Sequence, residues 1–248
     1  MSLEELVESV GIAGSLVGSL VVARRLGASD TVMEVLMLGN LIGLSALLYT
    51  IDGRRTKRRA MDMAQYARAN GLWSDPETEA FANKLVPYSL FSRGRTRTLT
   101  NLVHGRRGTL SYAVCDYRYT VGGGRVLDMM KQTVCVVELE RAGMPQFFAR
   151  LQHGLDDFVD KLFGGPGIDF EDDREFSRLV VLRTGGQEAE VRRLFSPSVR
   201  ALITDLSKKN FEAEGLDGKL IFHYGEHLNI TRVGELVDDA LRLAHALR

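Results

Sequence analysis

Residues 31–59 read TVMEVLMLGNLIGLSALLYTIDGRRTKRR, and this stretch decides the architecture of the chain. Its apolar part, residues 31–51, matches the roughly 20 apolar residues that a helix needs to cross a bilayer, and Val35–Ile51 carries no charge. Cations concentrate on the cytoplasmic side of membrane spans, where they meet anionic headgroups. The stretch therefore predicts a transmembrane helix with a cytoplasmic carboxyl end. The predicted interface residues are Arg54, Arg55, Lys57, Arg58 and Arg59.

A second apolar run, residues 6–23, precedes this one. Its leading residues are acidic, whereas those of a signal peptide are basic. The connection between the runs, residues 24–30, is short enough to force an antiparallel hairpin, so residues 1–52 are predicted to form a transmembrane helical hairpin. The alternative is a single span, with residues 1–23 on the surface or outside.

Each apolar run also contains two glycines four residues apart. In lipid this spacing lets two helices approach closely, because no side chain separates their backbones. We predict helix packing at these positions, the alternative being a chance spacing in glycine-rich apolar helices. The four residues are Gly14, Gly18, Gly39 and Gly43.

The composition of the whole chain does not reveal that an apolar segment precedes a charged one. The chain has 248 residues, 32 Lys and Arg against 32 Asp and Glu, and 45% hydrophobic residues. Its zero net charge argues against a surface devoted to nucleic acid, and 26% charged residues argue against general disorder. Two cysteines cannot build a disulfide scaffold. The charges lie almost entirely beyond residue 51, which places a soluble domain there.

Residues 61–248, after a basic juxtamembrane linker at 53–60, have the pattern of that domain. Thr109–Val121, TLSYAVCDYRYTV, alternates with a period of two, which is typical of a strand with one buried face. A glycine turn at 122–124 and a return strand at 131–140 complete a hairpin. The helices that follow lack the βαβ rhythm of a parallel sheet. We predict a single α+β domain with an antiparallel sheet.

A second group of cations lies in the first predicted strand of this domain. Arg93, Arg95 and Arg97 alternate in sequence, so we expect them on one strand face, where they would bind anionic headgroups. The alternative is a solvated strand face. Nucleic-acid binding is disfavoured, because no aromatic residue is interleaved with these cations.

An H-x-x-E-H string is the main argument for an enzyme. His223, Glu226 and His227 have the spacing of inverted zinc peptidases, in which a helix carries both histidines on one face. Here residues 219–222 read as a strand and Gly225 interrupts the string, which favours a strand followed by a turn. A zinc-dependent hydrolase is therefore kept only as the alternative function. No metal or other cofactor is expected.

The soluble domain resembles a type of bacterial membrane-anchored protein of unknown function. Such proteins pair one or two amino-terminal spans with a cytoplasmic α+β domain, and the resemblance implies that arrangement without implying catalytic residues. The residues that carry it are Asn101, Gly105, Asp116–Tyr119, Thr133, Val134, Ile168–Glu171, Glu175–Arg178, Leu194 and Phe195.

These patterns together predict a non-enzymatic protein of the bacterial inner membrane. Its lipid-bound hairpin would hold the α+β domain in the cytoplasm, where the domain would bind another membrane protein, a second copy of itself or anionic lipid.

Overall fold

In the computed structural model, the described residues are 18, 21–25, 27, 29–75, 77–123, 127–139, 143–152, 163 and 167–248. The chain divides into two compact units, Met1–Ala60 and Met61–Arg248.

Helix α1 runs without interruption over Asp30–Ala69. Among the described residues it is the one helix long and apolar enough to cross a membrane, with a mean hydropathy of 1.8 over its most apolar 18 residues, none of them buried. The segment 53–60, the predicted basic juxtamembrane linker, is helical. Arg, Lys, Ala and Met favour helix and no proline intervenes, so Gly53 alone does not end it.

The predicted partner of this helix lies mostly outside the described residues. Gly18 and residues 21–25 are helical, whereas Gly14 and most of the run 6–23 fall outside the described part. Gly39 and Gly43 lie within α1, and a side chain built at either would meet no atom within 4 Å. One apolar helix is therefore shown, and its pairing into a hairpin stays a prediction.

The domain is α+β, as predicted. Its described residues form one eight-stranded sheet in the order β1-β2-β3-β4-β8-β7-β5-β6, with every neighbouring pair antiparallel. The strands are β1 (Trp73–Ser74), β2 (Arg95–Arg107), β3 (Leu110–Val121), β4 (Asp128–Glu138), β5 (Phe147–Leu151), β6 (Val180–Thr184), β7 (Glu212–Leu216) and β8 (Lys219–His223).

Short helices connect and cover these strands. Pro197 begins one of them, with Ser196 as its N-cap. The described helices are α2 (Thr78–Lys84), α3 (Ser89–Ser92), α4 (Arg174–Leu179), α5 (Glu188–Leu194), α6 (Pro197–Leu206), a 3-10 turn (Ile230–Arg232) and α7 (Val233–Ala246).

Both faces of the sheet are buried, which corrects the prediction of one buried face. The larger core includes Phe147 and Phe222 and receives Leu236 of α7 and Met63 of α1. The smaller core, on the opposite face, gathers aromatic side chains that include Tyr117 beneath the segment around Phe91. We name these the α7 face and the α3 face. On β3, even-numbered residues point to the α7 face and odd-numbered residues to the α3 face, as Val114 and Cys115 illustrate.

Candidate functional site

The amino-terminal half of α1 presents large apolar side chains to its surroundings. Val35 is 65% exposed, Leu38 60%, Leu41 61% and Tyr49 82%. Soluble proteins seldom expose such a continuous apolar surface, since each side chain gains about 1.5–3 kcal/mol when it leaves water. This surface fits a lipid environment.

The cations that follow lie on the same helix. Arg54, Arg55, Lys57 and Arg58 are exposed and Arg59 is half-buried. At 100° per residue they spread over about half of the helix circumference. Cations in such a ring can reach headgroup phosphates in several directions.

The structure does not place Arg93, Arg95 and Arg97 on one strand face. Arg93 precedes β2, and its guanidinium, 11% exposed, pairs with Glu212 at 3.2 Å. Between Arg95 and Thr98 the register with β3 shifts by a bulge in which Thr96 has φ of 49°. Arg97 consequently donates to the Phe91 carbonyl at 2.8 Å. The prediction of a shared face is wrong.

Arg95 instead shares a face with two cations that the sequence did not single out. It pairs with Thr120, while Arg118 pairs with both Thr98 on β2 and Lys131 on β4. Cross-strand partners point to the same side, so Arg95, Arg118 and Lys131 are neighbours on the α7 face. All three are exposed. The sequence alternation of β3 already indicates that Arg118 lies on the polar face of that strand. The positions of Arg95 and Lys131 on the same face follow only from the register of the neighbouring strands.

The side chains of the three residues of the H-x-x-E-H string point in different directions. His223, at the end of β8, is buried on the α3 face, and its Nδ1 accepts from the Gly225 amide at 3.1 Å. His227 lies 3.4 Å from Asp116, an even-numbered β3 residue that points to the α7 face. Glu226 is exposed and pairs with Arg232 at 2.7 Å. Among the residues that the structure describes, no group of three or more His, Cys, Asp or Glu could hold a metal ion.

A buried polar network lies around His223. Glu214 on β7 is 3% exposed and accepts hydrogen bonds from the Ser89 amide and hydroxyl at 2.7 and 2.6 Å. Burial raises the pKa of this carboxyl to about 7. Burial lowers the pKa of His223 to about 4, against the opposing effect of Glu212. These pKa shifts occur at a contact that attaches α3 to the sheet. The role of this network is therefore structural.

Three residues that carry the sequence resemblance meet on the α7 face. The buried Asp116 carboxylate accepts from Asn101 Nδ2 at 2.8 Å and from Thr133 Oγ1 at 3.0 Å. Asn101 has φ of 55° at the second bulge of β2, a conformation that Asn tolerates better than most residues. The Leu228 amide donates to Thr133 Oγ1 at 3.1 Å, so the cluster also fixes the loop before α7.

A cavity of about 400 Å³ opens on the α3 face, lined by Ala82, Val86, Phe91 and Tyr117 with Arg97 and Glu79 at its polar part. One cation and one anion nearly cancel there. The cavity therefore gives no indication of a ligand's charge.

Comparisons with known proteins bear on the fold. No family model matches the chain, and no curated protein matches it. It is similar to the crystal structure of the mycobacterial trehalose monomycolate transport factor A, TtfA, with a TM-score of 0.52 and 14% sequence identity. The likeness covers 76% of this chain and 94% of that chain. At this identity it shows the fold alone.

Proposed function

We propose that this chain is a membrane-anchored binding module rather than an enzyme. Two amino-terminal spans hold it in the bacterial inner membrane, and the α+β domain lies on the cytoplasmic side. There the domain binds a partner at the membrane, either another membrane protein, a second copy of itself or anionic lipid.

The observation that carries the proposal is the wholly unburied apolar window of α1, followed directly by the cations at residues 54–59. Within a bilayer the helix satisfies its own backbone hydrogen bonds while its leucines lie in hydrocarbon. Cations placed after the window stay at the cytoplasmic interface and favour that orientation.

The domain supports binding better than catalysis. His223 and His227 point to opposite faces of the sheet, and Glu226 is engaged with Arg232. The ionisable groups with strongly shifted pKa values are buried in contacts that hold the fold.

Cysteine accessibility in intact cells tests the topology. Cys115 and Cys135 are buried, so the native chain has a low background with a membrane-impermeant maleimide. We expect Ser29→Cys to react from outside, and Ser2→Cys and Met61→Cys to react only after permeabilisation. Labelling of Ser2→Cys from outside would show that the chain crosses the membrane once and does not form a hairpin. Labelling of Met61→Cys from outside would overturn the cytoplasmic assignment.

Zinc analysis of the purified full chain tests the alternative that the protein is a zinc-dependent hydrolase. We expect no stoichiometric zinc and no change on substituting His227→Ala. One zinc per chain that this substitution removes would favour the hydrolase instead.

A further inference from the structure

We propose that the cavity on the α3 face binds a zwitterion in which a phosphate diester is joined to an ammonium group, as in an ethanolamine phospholipid. The cavity, of about 400 Å³, is within the size range of sites for small ligands. All of its lining residues belong to the described part of the chain. The site goes beyond the proposed function, and only the membrane origin of its ligand rests on that function.

The cavity lies where the edge of the sheet changes its neighbour. β1 pairs with β2 at Val103 and His104, and the Asp75 amide extends this contact to the Leu102 carbonyl at 3.0 Å. Further along β2, residues 97–99 line the cavity together with residues of α2. One wall of the cavity is therefore a strand edge and the other is a helix.

Arg97 supplies the cation of the strand wall. Its Nη1 donates to the Phe91 carbonyl at 2.8 Å, which holds the guanidinium at the cavity. Within the described part of the chain, its Nε and Nη2 make no hydrogen bond or ion pair. These two nitrogens can therefore bind two oxygens of one anion, a geometry that suits phosphate.

Glu79 supplies the anion of the helix wall. Its carboxylate is exposed, and among the described residues it forms no ion pair with Arg97 or with any other cation. Asn83 follows one helical turn later, on the same side of α2, and lines the same cavity. The carboxylate and the amide oxygen are acceptors for the N–H donors of an ammonium group.

The separation of these two charges selects the ligand. They cancel in sum, so the net charge of the lining favours neither a cation nor an anion. They lie on different walls, however, and do not neutralise each other. A ligand that carries both signs can bind each wall, whereas a ligand of one sign is repelled by one of them.

Apolar side chains complete the lining. Leu99, Phe91 and Tyr117 are almost fully buried, whereas Val86 is 49% exposed. This apolar surface suits the glycerol and the first methylene groups of a lipid, which leave water when they contact it. The same phosphate and ammonium groups also occur in the free, water-soluble diester.

Equilibrium dialysis of the full chain in nanodiscs tests the site. The discs contain phosphatidylglycerol, and the probe is radiolabelled glycerophosphoethanolamine. Two comparison ligands each lack one charge: glycerophosphoglycerol has no ammonium group, and ethanolamine has no phosphate. The matched control variants are Arg106→Ala and Glu138→Gln, which change exposed residues outside the cavity.

We expect one probe molecule per native chain and about tenfold weaker binding of either comparison ligand. Arg97→Ala and Glu79→Gln should each weaken binding of the probe about tenfold, because each removes hydrogen bonds to a charged group. Arg97→Lys should restore part of the binding, since it keeps the charge but not the paired donors. The two control variants should bind the probe as the native chain does.

Discs in which phosphatidylethanolamine replaces half of the phosphatidylglycerol separate the two sources of the ligand. Loss of probe binding in these discs shows that the lipid headgroup occupies the cavity, whereas undiminished binding shows that the ligand is the free diester.

Three outcomes overturn the inference: no probe binding to the folded native chain, equal binding of the probe and a comparison ligand, or binding that survives both Arg97→Ala and Glu79→Gln. Alkaline extraction of membranes tests the anchor separately. Release of the native chain would contradict the proposed function and leave the dialysis result of the free diester unchanged.

Discussion

Ser89 and Glu214, which are 125 residues apart in the chain, are joined by two hydrogen bonds to one carboxylate oxygen, at 2.7 Å from the backbone amide and 2.6 Å from the hydroxyl. Tyr88 adds a third contact, donating its hydroxyl to the Leu216 carbonyl at 2.7 Å. These bonds fasten α3 onto β7. The free energy of this attachment depends on the charge of a buried carboxyl group.

Glu214 makes stability fall as the pH rises. Its pKa in the folded chain is about 7, because of burial, against 4.5 for an ordinary glutamate. The folded state therefore holds a proton more tightly than the unfolded state, and this stabilisation is lost between about pH 4.5 and pH 7. The loss is on the order of 3 kcal/mol.

Glu214→Gln should flatten that part of the pH profile. The measurement is thermal unfolding of the full chain in detergent, followed by the fluorescence of Trp73, the single tryptophan. Glu138→Gln, at the exposed end of β4, is the control and should leave the profile unchanged. Parallel profiles for wild type and Glu214→Gln would refute the assignment.

His223 has the opposite effect in an overlapping range. Burial lowers its pKa to about 4, below the ordinary 6.5, so the unfolded state binds the proton more tightly. Stability is complete above about pH 6.5 and falls as the pH drops towards 4. His223→Gln should remove this acid loss, which is on the order of 3 kcal/mol, whereas His245→Gln, at an exposed position of α7, should not. If the stability of His223→Gln still fell at acidic pH as it does in the native chain, His223 would not be a neutral, buried imidazole.

The class of the fold was predictable, because it depends on local patterns. Period-two alternation and glycine turns indicate antiparallel hairpins, and the predicted hairpin of residues 109–121 with residues 131–140 is confirmed by the pairing of β3 with β4. The strand-then-turn interpretation of His223–His227 followed from Gly225, whose φ is 74° in the structure.

The candidate sites were less predictable, because they depend on long-range register. The burial of Arg93 requires Glu212, which lies 119 residues away. The bulge at Thr96 places a β-branched residue at positive φ, which no local preference indicates. Lys131 lies next to Arg118 only because of the register between β3 and β4. Spacing along one strand therefore grouped the wrong arginines.

The two cysteines should react only when the chain unfolds. Cys115 pairs with Val134 and Cys135 with Val114, so the two cysteines point to opposite faces of the sheet. Both are fully buried, and burial raises the pKa of each thiol. An aromatic disulfide reagent should find no reactive thiol in the native chain and two per chain in denaturant. Rapid reaction of either thiol in the native chain would show that the sheet opens there.

Arg200 should be needed for the structure of residues 169–176. Its nearly buried guanidinium contacts Asp172 at 2.6 Å and Asp173 at 2.9 Å, and lies 4.3 Å from the centre of the Phe170 ring. Removing it leaves Asp173 without its main cation, so Arg200→Ala should lower the free energy of unfolding by about 2–4 kcal/mol. Arg200→Lys should recover only part, since one ammonium cannot replace the two-sided contact.

Chemical denaturation of these variants measures that loss. Arg193→Ala, on the exposed surface of α5, is the matched control and should change stability by less than about 0.5 kcal/mol. Equal effects at positions 193 and 200 would contradict the central role of Arg200.

Alkaline extraction of membranes that contain the full chain tests the membrane anchor most directly. Leu41 and Leu44 lie in the middle of the apolar window of α1, and each lysine placed at the centre of a span costs about 2.5–3.5 kcal/mol. The native chain and the control Met61→Lys, which changes an exposed residue beyond the cations, should stay in the membrane pellet. The double variant Leu41→Lys with Leu44→Lys should be depleted from the pellet and enriched in the extract. Release of the native chain at alkaline pH, with the double variant behaving identically, would contradict the account.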